Sequence, residues 1–252
     1  MTPGPAARGI RAVLLDIEGT TTPIAFVHDV LFGFARDRLR AFLHDHASSP
    51  EVDAVRHELA AEHADDVRGG EAPPPWPGAP AGLEAMAAYA LWLMDRDRKS
   101  PGLKALQGLI WEEGYHAGLL RGEVFDDVPA ALRRWHETGV TVAIYSSGSE
   151  LAQRRLFQST RHGDLTPFIS GFFDTAVGPK VERESYTRIA VALRRRPGEI
   201  LFVSDVAREL EAARAAGLAV VLAVRPGNAP QAGASRYRTI GALDEIALGR
   251  DQ

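Results

Sequence analysis

Residues 13–26 read "VLLDIEGTTTPIAF". An apolar run stops at an acid, Asp16. A second acid, Glu18, follows two residues later, then Gly19 and three threonines, Thr20 to Thr22. With the residues before it, "IRAVLLD" is an aliphatic and β-branched run ending on a carboxylate. That is the pattern of a strand covered on both faces of a parallel sheet. Two carboxylates at such an exit, the second a glutamate, ask for a reason beyond the polarity of a loop.

The rest of the chain supplies the frame. From Pro23 to about Arg40, apolar residues Phe26, Val30, Leu31, Phe34, Leu39 and Phe42 recur at helical spacing. Residues 50–67 carry a thin apolar stripe of Val52, Val55, Leu59 and Val67. "RGGEAPPPWPGAPAG" (68–82) is a loop by composition. Leu83, Met86, Tyr89, Ala90 and Leu93 mark another helix, and Ser100 followed by Pro101 caps and starts a further one. The rhythm then changes. Strand-like "VTVAIY", "EILFVS" and "LAVVLAV" alternate with helical "VPAALRRWHETG", "ELAQRRLFQS", "ESYTRIAVALR" and "VARELEAARAAG". "ISGFFDTAVGPK" reads as a short extended piece and "ALDEIALGR" as a final helix. Alternation of this kind predicts a parallel sheet with helices on both faces. The first strand belongs to the same sheet. The helical stretch between it and the next strand far exceeds an ordinary crossover. The expected organisation is therefore a Rossmann-like α/β core from residues 1–22 and 126–252, with an all-helical cap subdomain, 23–125, inserted after the Asp16 loop.

Ligands of open parallel sheets bind beyond the carboxyl ends of the strands. Four segments bring polar residues to that edge: Asp16 and Glu18, Ser146 and Ser147, Lys180, and Asp205. Polar strand ends are ordinary one at a time, but this set has a chemistry. An aspartate that attacks phosphorus forms an acyl phosphate and splits one hard step into two. Carboxylate and phosphate repel, so a Mg²⁺ held by hard oxygens is needed, with Asp16 and Asp205 as its carboxylates. A serine hydroxyl and a lysine ammonium then hold the phosphoryl oxygens. Glu18 sits where it can protonate the leaving oxygen and later activate water. Gly19 allows a tight turn and close backbone approach.

"DIEGT", "YSSGS", "VGPKVERESY" and "FVSDVARELEAA" resemble the motifs of the haloacid-dehalogenase-like phosphatases, whose first motif usually reads DxDGT. Glutamate at the second position, with "TTTPIAFVHDVLF" behind it and "VLAVRPGNAP" near the C-terminus, resembles the acireductone synthase branch, the enolase-phosphatases of methionine salvage. The resemblance runs from about Val13 to Pro230. It implies Mg²⁺-dependent enolisation of 2,3-diketo-5-methylthiopentyl 1-phosphate and removal of its phosphate to give the acireductone. It implies Asp16 as nucleophile and metal ligand, Glu18 with the metal site and as acid/base, and Asp205 completing a site for one Mg²⁺ per subunit. Ser146, Ser147 and Lys180 would bind substrate phosphate, and the helical insertion would be the cap that closes over it. A monomeric, cytoplasmic enzyme is implied as well. Unperturbed glutamate and aspartate differ little in acidity. The longer reach of Glu18, towards both the leaving oxygen and the carbon-bound proton beside the diketone, is therefore the better reason for its presence.

Other residues carry less. Glu209, one helical turn after Asp205, reads equally as a solvated residue or as a group orienting Lys180. At least one of Thr20 to Thr22 is expected to cap the next helix. His28 and Asp29 lie near the start of the cap and read as surface or substrate-facing. Trp92, Trp111, Tyr89 and Tyr115 are expected to pack the cap. Arg194 to Arg196 read as a solvated helix end, and the eight histidines show no zinc spacing. Cysteine is absent and the formal net charge is −4, which removes disulfides and thiolate metal sites and gives no basic surface for nucleic acid. No apolar run approaches the roughly 20 residues of a membrane span, and "MTPGPAARGI" has no signal-peptide core. The competing readings are a capped phosphatase for another small phosphorylated metabolite, a non-catalytic phosphate-binding module, and a receiver-type domain. The last is too short to carry the helical insertion.

Overall fold

The computed structural model describes residues 9–77, 82–98 and 100–248. The Pro-, Gly- and Ala-rich extension at residues 1–8, residues 78–81 of the expected loop and the end of the expected final helix lie outside these. The chain divides into two compact units, 1–27 with 121–252, and 28–120.

The first unit is built on a sheet of six strands among the described residues. They are β1 Ala12–Leu15, β2 Thr141–Tyr145, β3 Gly171–Phe173, β4 Ile200–Ser204, β5 Ala219–Ala223 and β6 Thr239–Ile240. Every pairing is parallel and the order is β3-β2-β1-β4-β5-β6. This is the doubly wound arrangement, and the order reverses at β1. Both faces of β1 are covered, as its unbroken apolar run requires. Ala12 and Leu14 pack with Tyr186 and Ile189 of α7 (Arg183–Ala192) and with Leu210 and Ala213 of α8 (Ala207–Ala215). Val13 and Leu15 point the other way and are fully buried. On the strands beyond, α5 (Val128–Glu137) packs on β2, and α6 (Glu150–Gln158) on β3. Each large apolar side chain so buried contributes roughly 1.5–3 kcal/mol.

Two local readings change. The segment read as a final helix forms one 3-10 turn, Leu243–Glu245. Its side chains are committed to capping it. The Glu245 carboxylate accepts from the Gly241 and Ala242 amides, and the Leu243 amide is taken by Asp127. Buried Leu243 and Ile246 are satisfied by that one turn. The threonines do not cap the next helix either: the Thr21 hydroxyl donates back to the Asp16 and Ile17 carbonyls.

The second unit is helical: α1 Gly33–Asp45, α2 Pro50–Arg68, α3 Leu83–Met94 and α4 Pro101–His116. Ser49 and Ser100 cap α2 and α4, each followed by a proline. Leading into α1, Phe26–Phe32 winds as a π-helix. The Trp111 indole N–H donates to the Leu31 carbonyl at 2.7 Å, and Phe32 stacks on the Trp111 ring. In α2, Asp66 is buried and accepts from the Tyr89 hydroxyl at 2.6 Å and from Arg98 at 2.7 Å. Tyr89, Trp92, Trp111 and Tyr115 are all buried, as packing residues should be.

Candidate active site

Register brings the strand ends level. Leu15 pairs with Ile144 of β2 and Val203 of β4, and the Asp16 amide extends the ladder to the Val203 carbonyl at 3.0 Å. Asp16, Ser146 and Asp205 therefore leave the sheet side by side at its carboxyl edge, where the strand order reverses. Past Asp16 the chain folds back on itself. The amides of Thr20, Thr21 and Thr22 all donate to the Ile17 carbonyl, and the Gly19 amide donates to the Thr22 carbonyl. Gly19 sits at φ +67°, and a methyl group there would fall on the Asp205 carboxylate. Glycine is required on both counts. Glu18, partly exposed, bridges to Thr22 within this turn.

Lys180 arrives from the loop after β3, and its backbone is held at three points. The Tyr145 hydroxyl donates to the Gly178 carbonyl at 2.8 Å, the Ser185 hydroxyl to Pro179 at 2.8 Å, and the Tyr186 hydroxyl to Lys180 at 2.6 Å. So fixed, the buried ammonium lies 2.5 Å from Asp16 Oδ1 and 2.8 Å from Glu209 Oε2. Glu209, in the first turn of α8, also accepts from the Ser204 hydroxyl at 2.9 Å. It is 9% exposed, so the solvated alternative is excluded.

Two carboxylates, Asp16 and Glu209, thus meet one ammonium, and the excess of negative charge appears in the acidities of Asp205 and Glu209. Burial first, then the charges of Asp16 and Glu209, push Asp205 up to about 7 against the pull of Lys180. Glu209 is raised by burial and by Asp16, with Lys180 opposing. For Lys180, burial works against the charged form, but Asp16 and Glu209 prevail and hold it above the usual lysine range. Excess negative charge at a buried strand end suits a cation. Among the described residues no three His, Asp or Glu side chains converge as a metal cage. A hard cation such as Mg²⁺ needs only one or two carboxylates with water and substrate oxygens, and Asp16 and Asp205 fit that demand.

Ser146 and Ser147 open the loop between β2 and α6 and are partly exposed. The Ser146 amide donates to the Phe173 carbonyl at 3.1 Å. Gln153 ties the loop down by donating to the Gly148 and Phe173 carbonyls. The structure joins Asp16 and Lys180 directly and sets Asp205 against Gly19. The two serines share the edge with them through register. Reasoning from the sequence did not single out Arg225, Asn228 or Asp127, which brace the Asp16 loop. The one signal for Arg225 and Asn228 was the "RPGN" stretch, and Asp127 had none.

The haloacid dehalogenase-like hydrolase profile matches residues 10–217. The chain is 48% identical to "Enolase-phosphatase E1" of Synechococcus elongatus over 248 residues, covering 96% of this chain and all of that one. It is also 48% identical to the protein of the same name in Sorangium cellulosum, over 96% and 99% of the two chains. The chain belongs to the enolase-phosphatase family of haloacid dehalogenase-like hydrolases. Its fold is similar to the solved Unknown transcript 4 protein of Saccharomyces cerevisiae, with a TM-score of 0.73 and 33% identity over 92% of this chain and 97% of that one. The enolase-phosphatase chain is accordingly a phosphatase, and no helix among its described residues is long and apolar enough to cross a membrane.

Proposed function

We propose that the protein converts 2,3-diketo-5-methylthiopentyl 1-phosphate and water to 1,2-dihydroxy-3-keto-5-methylthiopentene and phosphate, in methionine salvage. The observation that carries the chemistry is the contact of Lys180 with Asp16 and Glu209 at the strand edge, on a chain so similar to enolase-phosphatases. When bound, Mg²⁺ would neutralise phosphate charge and polarise the diketone, held by Asp16, Asp205 and an oxygen of Glu18.

In this reading Glu18 first moves the carbon-bound proton beside the diketone onto the carbonyl oxygen, which becomes an enol, and solvent then reprotonates Glu18. An Asp16 carboxylate oxygen then attacks phosphorus. The bond to the ester oxygen breaks, Glu18 protonates that oxygen, and an aspartyl phosphate remains. Ser146, Ser147 and Lys180 hold the phosphoryl oxygens while charge shifts onto them. Glu18 then draws a proton from water, the water oxygen attacks phosphorus, the bond from phosphorus to Asp16 breaks, and Glu18 releases its proton to solvent. Glu209 keeps the Lys180 ammonium in place. The helical unit supplies substrate selection. The enzyme is read as a cytoplasmic monomer with one Mg²⁺ per subunit, on the family resemblance. Replacing Asp16 with asparagine should abolish phosphate release while the circular dichroism spectrum stays native. Turnover retained in that variant would refute the nucleophile.

A further inference from the structure

Directly after Glu18, Gly19 turns the active-site loop at φ +67°, a backbone conformation that glycine adopts without strain. The loop's internal bonds close on the Asp16, Ile17 and Thr22 carbonyls, which leaves the carbonyls of Gly19 and Thr20 to be fixed from outside. Both are taken by one turn after β5. Asn228 Nδ2 donates to the Gly19 carbonyl at 2.9 Å and to the Ala223 carbonyl, at the end of β5, at 3.4 Å. Arg225 Nε donates to the Thr20 carbonyl at 3.0 Å. We infer that Arg225 and Asn228 are positioning residues for Glu18, gripping its loop at two successive carbonyls. The inference rests on the proposed acid/base role of Glu18.

The grip is itself immobilised. Arg225 is 5% exposed. Its two terminal nitrogens donate to the two Asp127 oxygens at 2.9 and 2.8 Å, and one of them also reaches the Gly241 carbonyl at 2.8 Å. Its guanidinium lies over the Phe125 ring, 4.5 Å from the centroid, and the Phe125 amide donates to the Thr21 carbonyl at 3.0 Å. A buried ion pair is a poor device for stability alone, since apolar residues of similar volume serve as well. The planar fork instead supplies direction. Here it points its third nitrogen, Nε–H, at one carbonyl of the catalytic loop. Lysine at 225 would keep the charge and lose that geometry.

The test is a mutant cycle read by the enol's ultraviolet absorbance on the diketone phosphate. Asn228→Ala should lower kcat for enol formation about 10- to 100-fold, the scale of a small misplacement of a catalytic group, with KM within about twofold. In a Glu18→Asp background the same substitution should add no more than about twofold, because the two changes act through one group. Arg225→Lys should behave likewise. An enol rate unchanged in Asn228→Ala overturns the inference. So does a loss of full size in the Glu18→Asp background, which would mark Asn228 as a general support of the fold. Thermal melting checks each variant. Asn228→Ser, whose hydroxyl is too short to reach Gly19, repeats the cycle if the alanine variant melts early. A wild-type protein with no enol signal would instead refute the proposed function, so the two failures are distinct.

Discussion

Glu18 and Asp16 stand two residues apart but live in different surroundings. Asp16 is buried against Lys180, whereas Glu18 sits partly exposed on the turn beyond it. Inserting one methylene between backbone and carboxyl changes reach more than acidity. Replacing Glu18 with aspartate should therefore slow enolisation by about 10-fold or more and slow hydrolysis of a simple phosphate ester less. Equal losses in the two assays would remove reach as the explanation. The residues of this site were legible in proportion to how far sequence pattern fixes their place. Asp16 and Asp205 each end a run of buried aliphatics, so the parallel-strand pattern alone puts them at one edge. Lys180 came from a loop, and its contact with Asp16 depends on Tyr145, Tyr186 and Ser185 holding carbonyls three-dimensionally, which no spacing reveals. Glu209 had one surface reading and one buried reading. Ser204 and Lys180 decided between them.

At the scale of elements, the strong periodic signals held and the weak ones yielded to tertiary contacts. Ser100-Pro101 started α4 as read, because the cap and the proline are local devices. "ALDEIALGR" forms only the Leu243–Glu245 turn among its described residues, capped at its start by the Glu245 and Asp127 carboxylates. β6 was not foreseen. It is two residues, Thr239–Ile240, and makes sense only beside β5. The entry to α1 carried apolar residues at helical spacing, but a π-helix spends an extra residue per turn, and the Trp111 bond to Leu31 that accompanies it is remote in sequence. In the helical unit, Asp66 joins two helices and the segment after the second through one carboxylate. It lies in α2, bonds Tyr89 in α3 and pairs with Arg98 beyond it. Asp66→Ala should cost about 1–3 kcal/mol, mostly from the buried Tyr89 hydroxyl it strands. Chemical denaturation would measure it, and an unchanged midpoint would contradict the role given to this cluster.

For the molecule as a whole, the parallel sheet gathers Asp16, Ser146 and Asp205 at the point where strand order reverses, and the loops add Glu18, Ser147 and Lys180. The core was readable because alternation of buried strands and amphipathic helices is a global pattern that survives local misreadings. The substrate was not readable from the core, since any phosphate ester can meet an aspartate, a lysine and a cation. The proposed substrate, a phosphorylated diketone, rests on glutamate at position 18 and on the likeness to enolase-phosphatases. The most direct measurement gives the purified protein 2,3-diketo-5-methylthiopentyl 1-phosphate with Mg²⁺ and follows enol absorbance and phosphate release together. Both signals should rise, and both should vanish when a chelator removes the metal and return when Mg²⁺ is restored. Phosphate released without an enol would contradict the account and leave a phosphatase for some other small metabolite.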